Sequence, residues 1–480
     1  MIGLRRERHE FDLAVIGMGS AGGVAVSFAA RLGLSVAAIE RERIGGDCLW
    51  TGCVPSKALL ASAKAAHHVR TAARYGVLAD EPRIDLPAVW RRIRAVQEEI
   101  AAADDSPERF ADLGATVVTG DARLVGPHAV RVGERTLDAR AILVCTGSRP
   151  AVPDVPGLAD QAYLTSETLW QLGRPPASLV VLGGGPIGCE LAQALQRLGV
   201  RVTLVQRGPA LLPRDEPALA ALLADVLRGE GVDLRLGAEA VRVEGGHAGV
   251  RVVVRSGGRD EAVDADGVLV AAGRRPNVEG LGLEELGVAV GPRGIVVDEH
   301  LRTSVRSIYA AGDVAGRHLF THAAGQEAAI AVRNVAFPGS SRPARLVPWC
   351  TFTDPELAHA GLTETEAVER HGPARVRVRE LDLGHSDRAR ADGTTVGSIR
   401  LVEARGRLVG AHVLAPAAGE LIGELALAID RKLPLARLGA LVHPYPTLST
   451  SVNLLGAHAA FDRVRPLLPL LRRARPPGRD

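Results

Sequence analysis

Phe11-Asp-Leu-Ala-Val-Ile-Gly17-Met-Gly19-Ser-Ala-Gly22 is an apolar run feeding three glycines spaced Gly-x-Gly-x-x-Gly. The run predicts a strand, and the alanine-rich stretch after it predicts a helix to about residue 34. A second short strand, 35–39, ends in the acid Glu40. Together these parts form a dinucleotide-binding unit. The glycines permit a tight turn and close approach to a pyrophosphate, the helix N-terminus faces the phosphates, and Glu40 can bind ribose hydroxyls. A glycine triplet alone is weak evidence. A preceding strand and an acid about 20 residues on make it strong.

The pattern recurs. Residues 178–182 read as a strand, followed by Gly183-Gly-Gly185-Pro-Ile-Gly188, a helix to about residue 198 and a strand over 201–205. Here the acid is missing, and Gln206 and Arg207 stand in its place. An acid would repel a 2′-phosphate, whereas an arginine attracts one, so this half predicts NADPH, with NADH possible. Arg214 is a further basic candidate. Two dinucleotide folds imply two nucleotides, and a flavin with a nicotinamide is the usual pair for hydride relay. Past the second unit lie Gly273-Arg274-Arg275-Pro276-Asn277 and a short strand ending in Gly312-Asp313, an aspartate suited to a polyol hydroxyl.

Between the first unit and its closing strand sits Gly45-Gly46-Asp-Cys48-Leu-Trp-Thr-Gly52-Cys53-Val-Pro-Ser-Lys57. Zinc sites use tighter cysteine pairs and a second pair elsewhere, which this chain lacks. In a regular helix two residues five apart have Cα atoms about 8.7 Å from each other. A disulfide needs less than about 7 Å. A bond between Cys48 and Cys53 therefore requires a bend, and Gly52 is the residue to allow it. Two buried structural thiols are the plain alternative; the nucleotide motifs on both sides favour a redox pair. Helices are expected over 56–74 and 86–113. Thr146-Gly147-Ser148-Arg149-Pro150 follows the closing strand, and the prolines of 150–156 read as a linker.

At 480 residues the chain has room for about three domains. The expected architecture is α/β, with two Rossmann-like units and a C-terminal α+β dimerisation domain. Residues 1–150 and 273–345 would form the FAD-binding domain, 151–272 the NAD(P)-binding domain and 346–480 the association domain. A net charge of +3 and few aromatics argue against a nucleic-acid partner. Apolar runs fall short of the ~20 residues that span a bilayer. The charged start shows no signal peptide, and the five cysteines fit a reducing cytoplasm in which a disulfide is catalytic. Basic charge is almost all arginine, so Lys57 stands out beside Lys64 and Lys432. The tail at 466–475 reads as a surface helix end or disorder, too short for an anchor.

With both fingerprints and the cysteine pair in this order, residues 11–460 resemble the class I pyridine nucleotide-disulfide oxidoreductases: lipoamide dehydrogenase, glutathione reductase and mercuric reductase. The resemblance implies that Gly17, Gly19, Gly22, Glu40 and Asp313 bind FAD, and that Gly183, Gly185 and Gly188 bind the nicotinamide nucleotide. Gly46, Thr146, Gly147, Gly273, Arg274 and Gly312 are further cofactor-binding candidates, with Arg207 for the 2′-phosphate. It implies that Cys53 lies against the flavin, Cys48 meets substrate, and Lys57 pairs with Glu190 beside the flavin. It also implies a homodimer whose active site borrows C-terminal residues from the partner subunit.

The borrowed segment departs from the pattern. In His443-Pro-Tyr445-Pro446-Thr447-Leu-Ser-Thr450, the family's catalytic histidine becomes Tyr445 and its orienting glutamate becomes Thr450. A phenol of ordinary pKa, about 10, is a poor base near neutrality. His443 is a displaced candidate base, expected on the same side as Tyr445 if the segment is extended. A tyrosine here resembles mercuric reductase, whose acceptor is a soft metal ion. The chain lacks that enzyme's additional cysteine pairs, since Cys145, Cys189 and Cys350 read as packing residues. The acceptor is thus expected to be a small molecule or metal ion, and no resident metal is expected. A dihydrolipoyl dehydrogenase or other disulfide reductase with altered acid/base chemistry, and a quinone-type flavoprotein, are the rivals.

Overall fold

The computed structural model describes residues 9–246, 249–337 and 341–469. The expected charged start and basic tail fall largely outside them, at 1–8 and 470–480.

The first sheet is built on β1 (Phe11–Ile16), β2 (Val36–Glu40), β3 (Ala115–Thr119) and β4 (Arg135–Val144), parallel in the order β3-β2-β1-β4. A strand far along the chain, Ile308–Ala310, adds beside β4 and is also parallel. It brings Gly312 and Asp313 to the same sheet end as Gly17. Helix α1 (Ser20–Arg31) and the helix Thr321–Ala336 cover one face with alanine-rich sides, which lets them pack closely. Antiparallel strands 122–132 extend the sheet beyond β4.

The second sheet repeats the design with β5 (Ser178–Leu182), β6 (Arg201–Gln206), β7 (Asp233–Leu236) and β8 (Gly267–Val270), all parallel in the order β7-β6-β5-β8. The central strands β1, β2, β5 and β8 are almost wholly buried, as parallel strands covered on both faces must be, while the edge strands β3 and β7 are partly exposed. Ser148–Pro150 pairs antiparallel with Arg274–Pro276, so the expected linker is entered through a two-stranded crossing ribbon. The C-terminal part is a five-stranded antiparallel sheet with helices Ala418–Asp430 and Ser449–Val464.

Two helix expectations shift. The helix expected at 56–74 begins at Cys53 and ends at Arg70, with a 3-10 turn after it. The one expected over 86–113 is two helices, Leu86–Asp104 and Pro107–Asp112. Pro107 disfavours helical geometry at Ser106, whose hydroxyl instead accepts from the Arg109 N–H at 3.3 Å.

Candidate active site

A cavity of about 1940 Å³ runs between the two parallel sheets, lined by both glycine turns, both cysteines, Lys57, Glu190, Arg274 and Asp313. Its ends are built alike. Gly17 has φ +91°, and a Cβ there would lie 2.6 Å from the Cys145 carbonyl oxygen; Gly183 has φ +116° and the matching distance is 2.4 Å, to Ala271. A Cβ on Gly22 or Gly188 would come within 1.8 Å of the Gly17 or Gly183 oxygen. Only glycine fits at these four places. The turns are therefore bare backbone open to a diphosphate, which is what FAD and NAD(P) present. At each turn the residue ending the second strand braces the loop. Glu40 Oε2 accepts from the Met18 N–H at 2.8 Å, and Gln206 Oε1 accepts from the Gly184 N–H at 2.9 Å. Arg207 lines the cavity but is exposed, with Nη1 3.9 Å from Glu239 Oε1. Arg214 also lines it, yet its guanidinium lies over the Trp349 ring at 4.9 Å.

Cys48 lies in the short helix Gly46–Trp50, and Cys53 is the first residue of the next helix. Gly52 makes the expected break between them, at φ −117° and ψ −104°, and a Cβ there would sit 3.0 Å from the Asp47 carbonyl oxygen. Both thiols are free, and their interaction makes them unequal. Hydrogen bonding from Cys48, helped by the Thr321 hydroxyl and Lys57, outweighs burial and brings the Cys53 thiol down from its usual 9.0 to about 6. The same bond and burial push Cys48 far up. These directions favour the proton on Cys48 and the negative charge on Cys53. Thr321 Oγ1 lies 3.3 Å from Cys53 Sγ, a partner that sequence reasoning missed. Its signal was only its place at the start of the helix that follows Asp313.

Lys57 Nζ donates to Glu190 Oε2 at 2.8 Å, and Glu190 is only 5% exposed. The Phe352 N–H donates to Glu190 Oε1 at 2.9 Å, and the Phe352 ring lies 4.5 Å beneath Lys57 Nζ. Phe352, from the C-terminal part, was not foreseen. Asp313 accepts from Ser148 Oγ at 2.5 Å, and burial raises its carboxyl. The Gly312 N–H donates to Glu327 Oε2 at 2.9 Å. Thr146 and Asn277 exchange hydrogen bonds across the crossing ribbon, and the Asn277 N–H donates to the Gly147 oxygen, so Gly147 and Gly273 both lie at the domain crossover. Cys145 and Cys189 are buried, with thiols pushed well up by desolvation. Among the described residues no cluster of acids, histidines and cysteines is arranged for a metal, and no helix is long and apolar enough to cross a membrane.

The C-terminal segment stands apart from this chain's own cavity. Tyr445 is 73% exposed, and its hydroxyl donates to Asp387 Oδ2 at 3.1 Å, which raises the phenol further. Thr450 is occupied by the Thr447 backbone. His443 does not share a side with Tyr445. It is turned inward onto Glu424, with Nε2 3.1 Å from Oε1, and its Nδ1 is enclosed without a partner. The physical reason is the Glu424 carboxylate, which captures the imidazole inside its own protomer.

Residues 11–328 match the family model described as pyridine nucleotide-disulphide oxidoreductase, and 347–455 match that family's dimerisation domain. The chain is 36% identical to a dihydrolipoyl dehydrogenase of Thermus scotoductus, over 92% of this chain and 95% of that one. It is 38% identical to a mercuric reductase of Streptomyces lividans, with the same coverages. The HOCl-induced flavoprotein disulfide reductase RclA of Escherichia coli has a similar structure, with a TM-score of 0.82 at 29% identity over 93% of this chain and 99% of that one. The chain belongs to the pyridine nucleotide-disulphide oxidoreductase family: it is an FAD-dependent oxidoreductase that uses a pyridine nucleotide, and its dimerisation domain fits a homodimer.

Proposed function

We propose that this enzyme takes electrons from NADPH, opens a Cys48–Cys53 disulfide with them, and delivers them to a thiophilic acceptor of the mercuric-reductase type. The observation that carries the reading is the placement of both cysteines in one cavity with the two glycine turns, beside Lys57 held on Glu190 and with Thr321 Oγ1 3.3 Å from Cys53 Sγ. When bound, FAD supplies the two-electron relay between nicotinamide and disulfide. Two electrons and a proton break the S–S bond and leave a thiol at Cys48 and a thiolate at Cys53. The Cys53 thiolate is the partner of the flavin, held by Thr321, and Cys48 faces the acceptor. Lys57, anchored by Glu190 and backed by Phe352, places a cation where reducing equivalents arrive. Glu40, Gly17, Gly19, Gly22, Gly46, Thr146, Gly147, Gly273, Gly312 and Asp313 hold FAD, with Arg274 behind them on Asp47 and Ser148, while Gly183, Gly185, Gly188 and Arg207 hold NADPH. This assigns 1–150 and 273–345 to FAD, 151–272 to the nicotinamide nucleotide and 346–480 to dimerisation.

At the acceptor end the partner subunit's Tyr445 completes the site. Thiolates bind soft ions well. Hg(II) that takes two electrons leaves as the zero-valent atom, with no thiol proton to deliver, so a phenol in place of an imidazole is no handicap. Cu(II) is a second candidate of this class, since the similar RclA was also solved as a Cu(II) complex. A second reading, reduction of an organic disulfide or oxidation of dihydrolipoamide, is favoured by the likeness to dihydrolipoyl dehydrogenase and by the His443–Glu424 pair. Its weakness is the enclosed Nδ1 of His443.

The test is oxidation of NADPH and NADH by the pure enzyme with Hg(II), Cu(II), lipoamide, glutathione disulfide and a quinone as acceptors, repeated with Cys48→Ala. Hg(II)- or Cu(II)-dependent NADPH oxidation lost in Cys48→Ala is expected. Quinone as the best acceptor, untouched by Cys48→Ala, would sink the disulfide relay.

A further inference from the structure

Asp47 is a carboxylate in a place where negative charge is unwelcome. It directly precedes Cys48, and Gly46 packs so tightly on the first glycine turn that a Cβ there would lie 2.7 Å from Gly19 Cα. The carboxylate is therefore held close both to where a diphosphate would bind and to the thiolate-forming pair. Arg274 answers it. This guanidinium comes from the crossing ribbon, is 11% exposed, and has Nη2 3.0 Å from Asp47 Oδ2. The rest of the guanidinium is fixed from behind: Nε donates to Ser148 Oγ at 2.7 Å and Nη2 to the Ser148 carbonyl at 2.9 Å, with Asp313 Oδ2 3.6 Å from Nε.

Asp47 also braces the turn between the cysteines. Its Oδ1 accepts from the Thr51 hydroxyl, and its backbone oxygen accepts from the Thr51 N–H at 2.9 Å. We infer that Asp47 and Arg274 are one charge-neutral positioning pair, which straps the cysteine turn to the FAD shell and keeps the Asp47 charge from the diphosphate and from the thiolate. Arg274 is needed chiefly because Asp47 is there. The groups facing the thiols are Asp47 on their own turn, Lys57 on the following helix, and the hydroxyls of Ser20 and Thr321. Among the described residues, Asp313 is the other carboxylate within 4 Å of Arg274, and Glu167 lies farther out in the same field. The inference rests on Cys48 and Cys53 being the redox pair. Loss of metal-dependent turnover in Cys48→Ala tests that reading separately.

The test uses the holoenzyme with Arg274→Ala, Arg274→Lys, Asp47→Asn and the double variant Asp47→Asn/Arg274→Ala. FAD retention is measured by dilution and fluorescence, and the pH midpoint of the thiolate–flavin charge-transfer absorbance is measured after two-electron reduction. Arg274→Ala leaves a bare carboxylate, so FAD retention should fall more than about tenfold and the midpoint should move to higher pH. Asp47→Asn should keep FAD and move the midpoint to lower pH. The double variant should recover FAD retention to within about threefold of wild type. A double variant as poor as Arg274→Ala would overturn the inference, because Arg274 would then serve FAD or Asp313 directly. So would an unmoved midpoint in Asp47→Asn. If Arg274→Ala does not accumulate folded, Arg274→Lys decides: it keeps the charge and must keep the wild-type midpoint, and a rise as large as the fall in Asp47→Asn would refute the pairing.

Discussion

In the proposed relay the Cys53 thiolate is the chemical centre, and removing Cys48 tests where its acidity comes from. The Cys53 thiol lies at about 6 instead of 9.0, and the Cys48 hydrogen bond is the largest cause, ahead of Thr321 and Lys57. Each unit corresponds to about 1.4 kcal/mol of preference for the charged form. A charge-assisted hydrogen bond contributes roughly 1.5–3 kcal/mol. Cys48→Ala should therefore raise the midpoint by about one to two units. The sign follows from the bond: a donor to the thiolate favours the charged form, and its loss favours the thiol. If Cys53 lies against the flavin as proposed, Cys48→Ala should leave it as a lone thiolate that the oxidised holoenzyme reports as a long-wavelength charge-transfer band. Titrating that band from pH 5 to pH 10 gives the midpoint, with two-electron-reduced wild type as the reference. Thr321→Val should raise it by a smaller amount. A Cys48→Ala midpoint at or below the wild-type value would refute the proton-sharing account and transfer the acidity to Lys57 and the helix terminus.

Glu190→Gln removes the charge that holds Lys57 at 2.8 Å while keeping an acceptor for the Phe352 N–H. With Lys57 partly exposed the loss is about 1–2 kcal/mol, so stopped-flow reduction by NADPH should slow roughly five- to thirtyfold. Arg207→Glu should lower the NADPH-to-NADH ratio of kcat/KM by about tenfold or more, and Glu239→Gln, which frees Arg207, should raise it. Tyr445→Phe should impair metal-ion turnover while leaving reduction by NADPH intact, whereas His443→Ala should leave metal-ion turnover within about twofold and lower Tm by a few degrees. Gly22→Ala would put a methyl 1.8 Å from the Gly17 oxygen, so the protein should be recovered largely without FAD, as read by its flavin absorbance.

Both nucleotide-binding units were legible because their signals are local. A glycine that must sit at positive φ under a carbonyl, or a helix start that must lack a side chain, leaves its mark within a few residues. The Gly52 bend was legible for the same reason. The Lys57–Glu190 contact was within reach only through the family resemblance, since nothing near either residue announces the other. What stayed hidden were contacts joining distant segments through a single side chain: Phe352 beneath Lys57, Thr321 on Cys53, Arg274 on Asp47 and Glu424 on His443. The break at Ser106 was readable, because Ser-Pro is both a cap and a stop. The helical periodicity on either side masked it.

The two glycine turns carry a consequence for how coenzyme choice can change. At the first turn, Glu40 combines two tasks, fastening the loop and presenting a carboxylate. At the second, the fastening falls to the neutral amide of Gln206, while the charged neighbour Arg207 is exposed and faces Glu239. If Arg207 reads the nicotinamide nucleotide and Glu40 the flavin, as proposed, structural duty and ligand discrimination are uncoupled at the nicotinamide end and fused at the flavin end. Substitutions at position 207 can drift or be engineered without loosening the turn, while position 40 is locked by its double employment. On those assignments, a single substitution at position 207 should suffice to change the preferred electron donor, whereas a change at position 40 would also loosen the flavin turn.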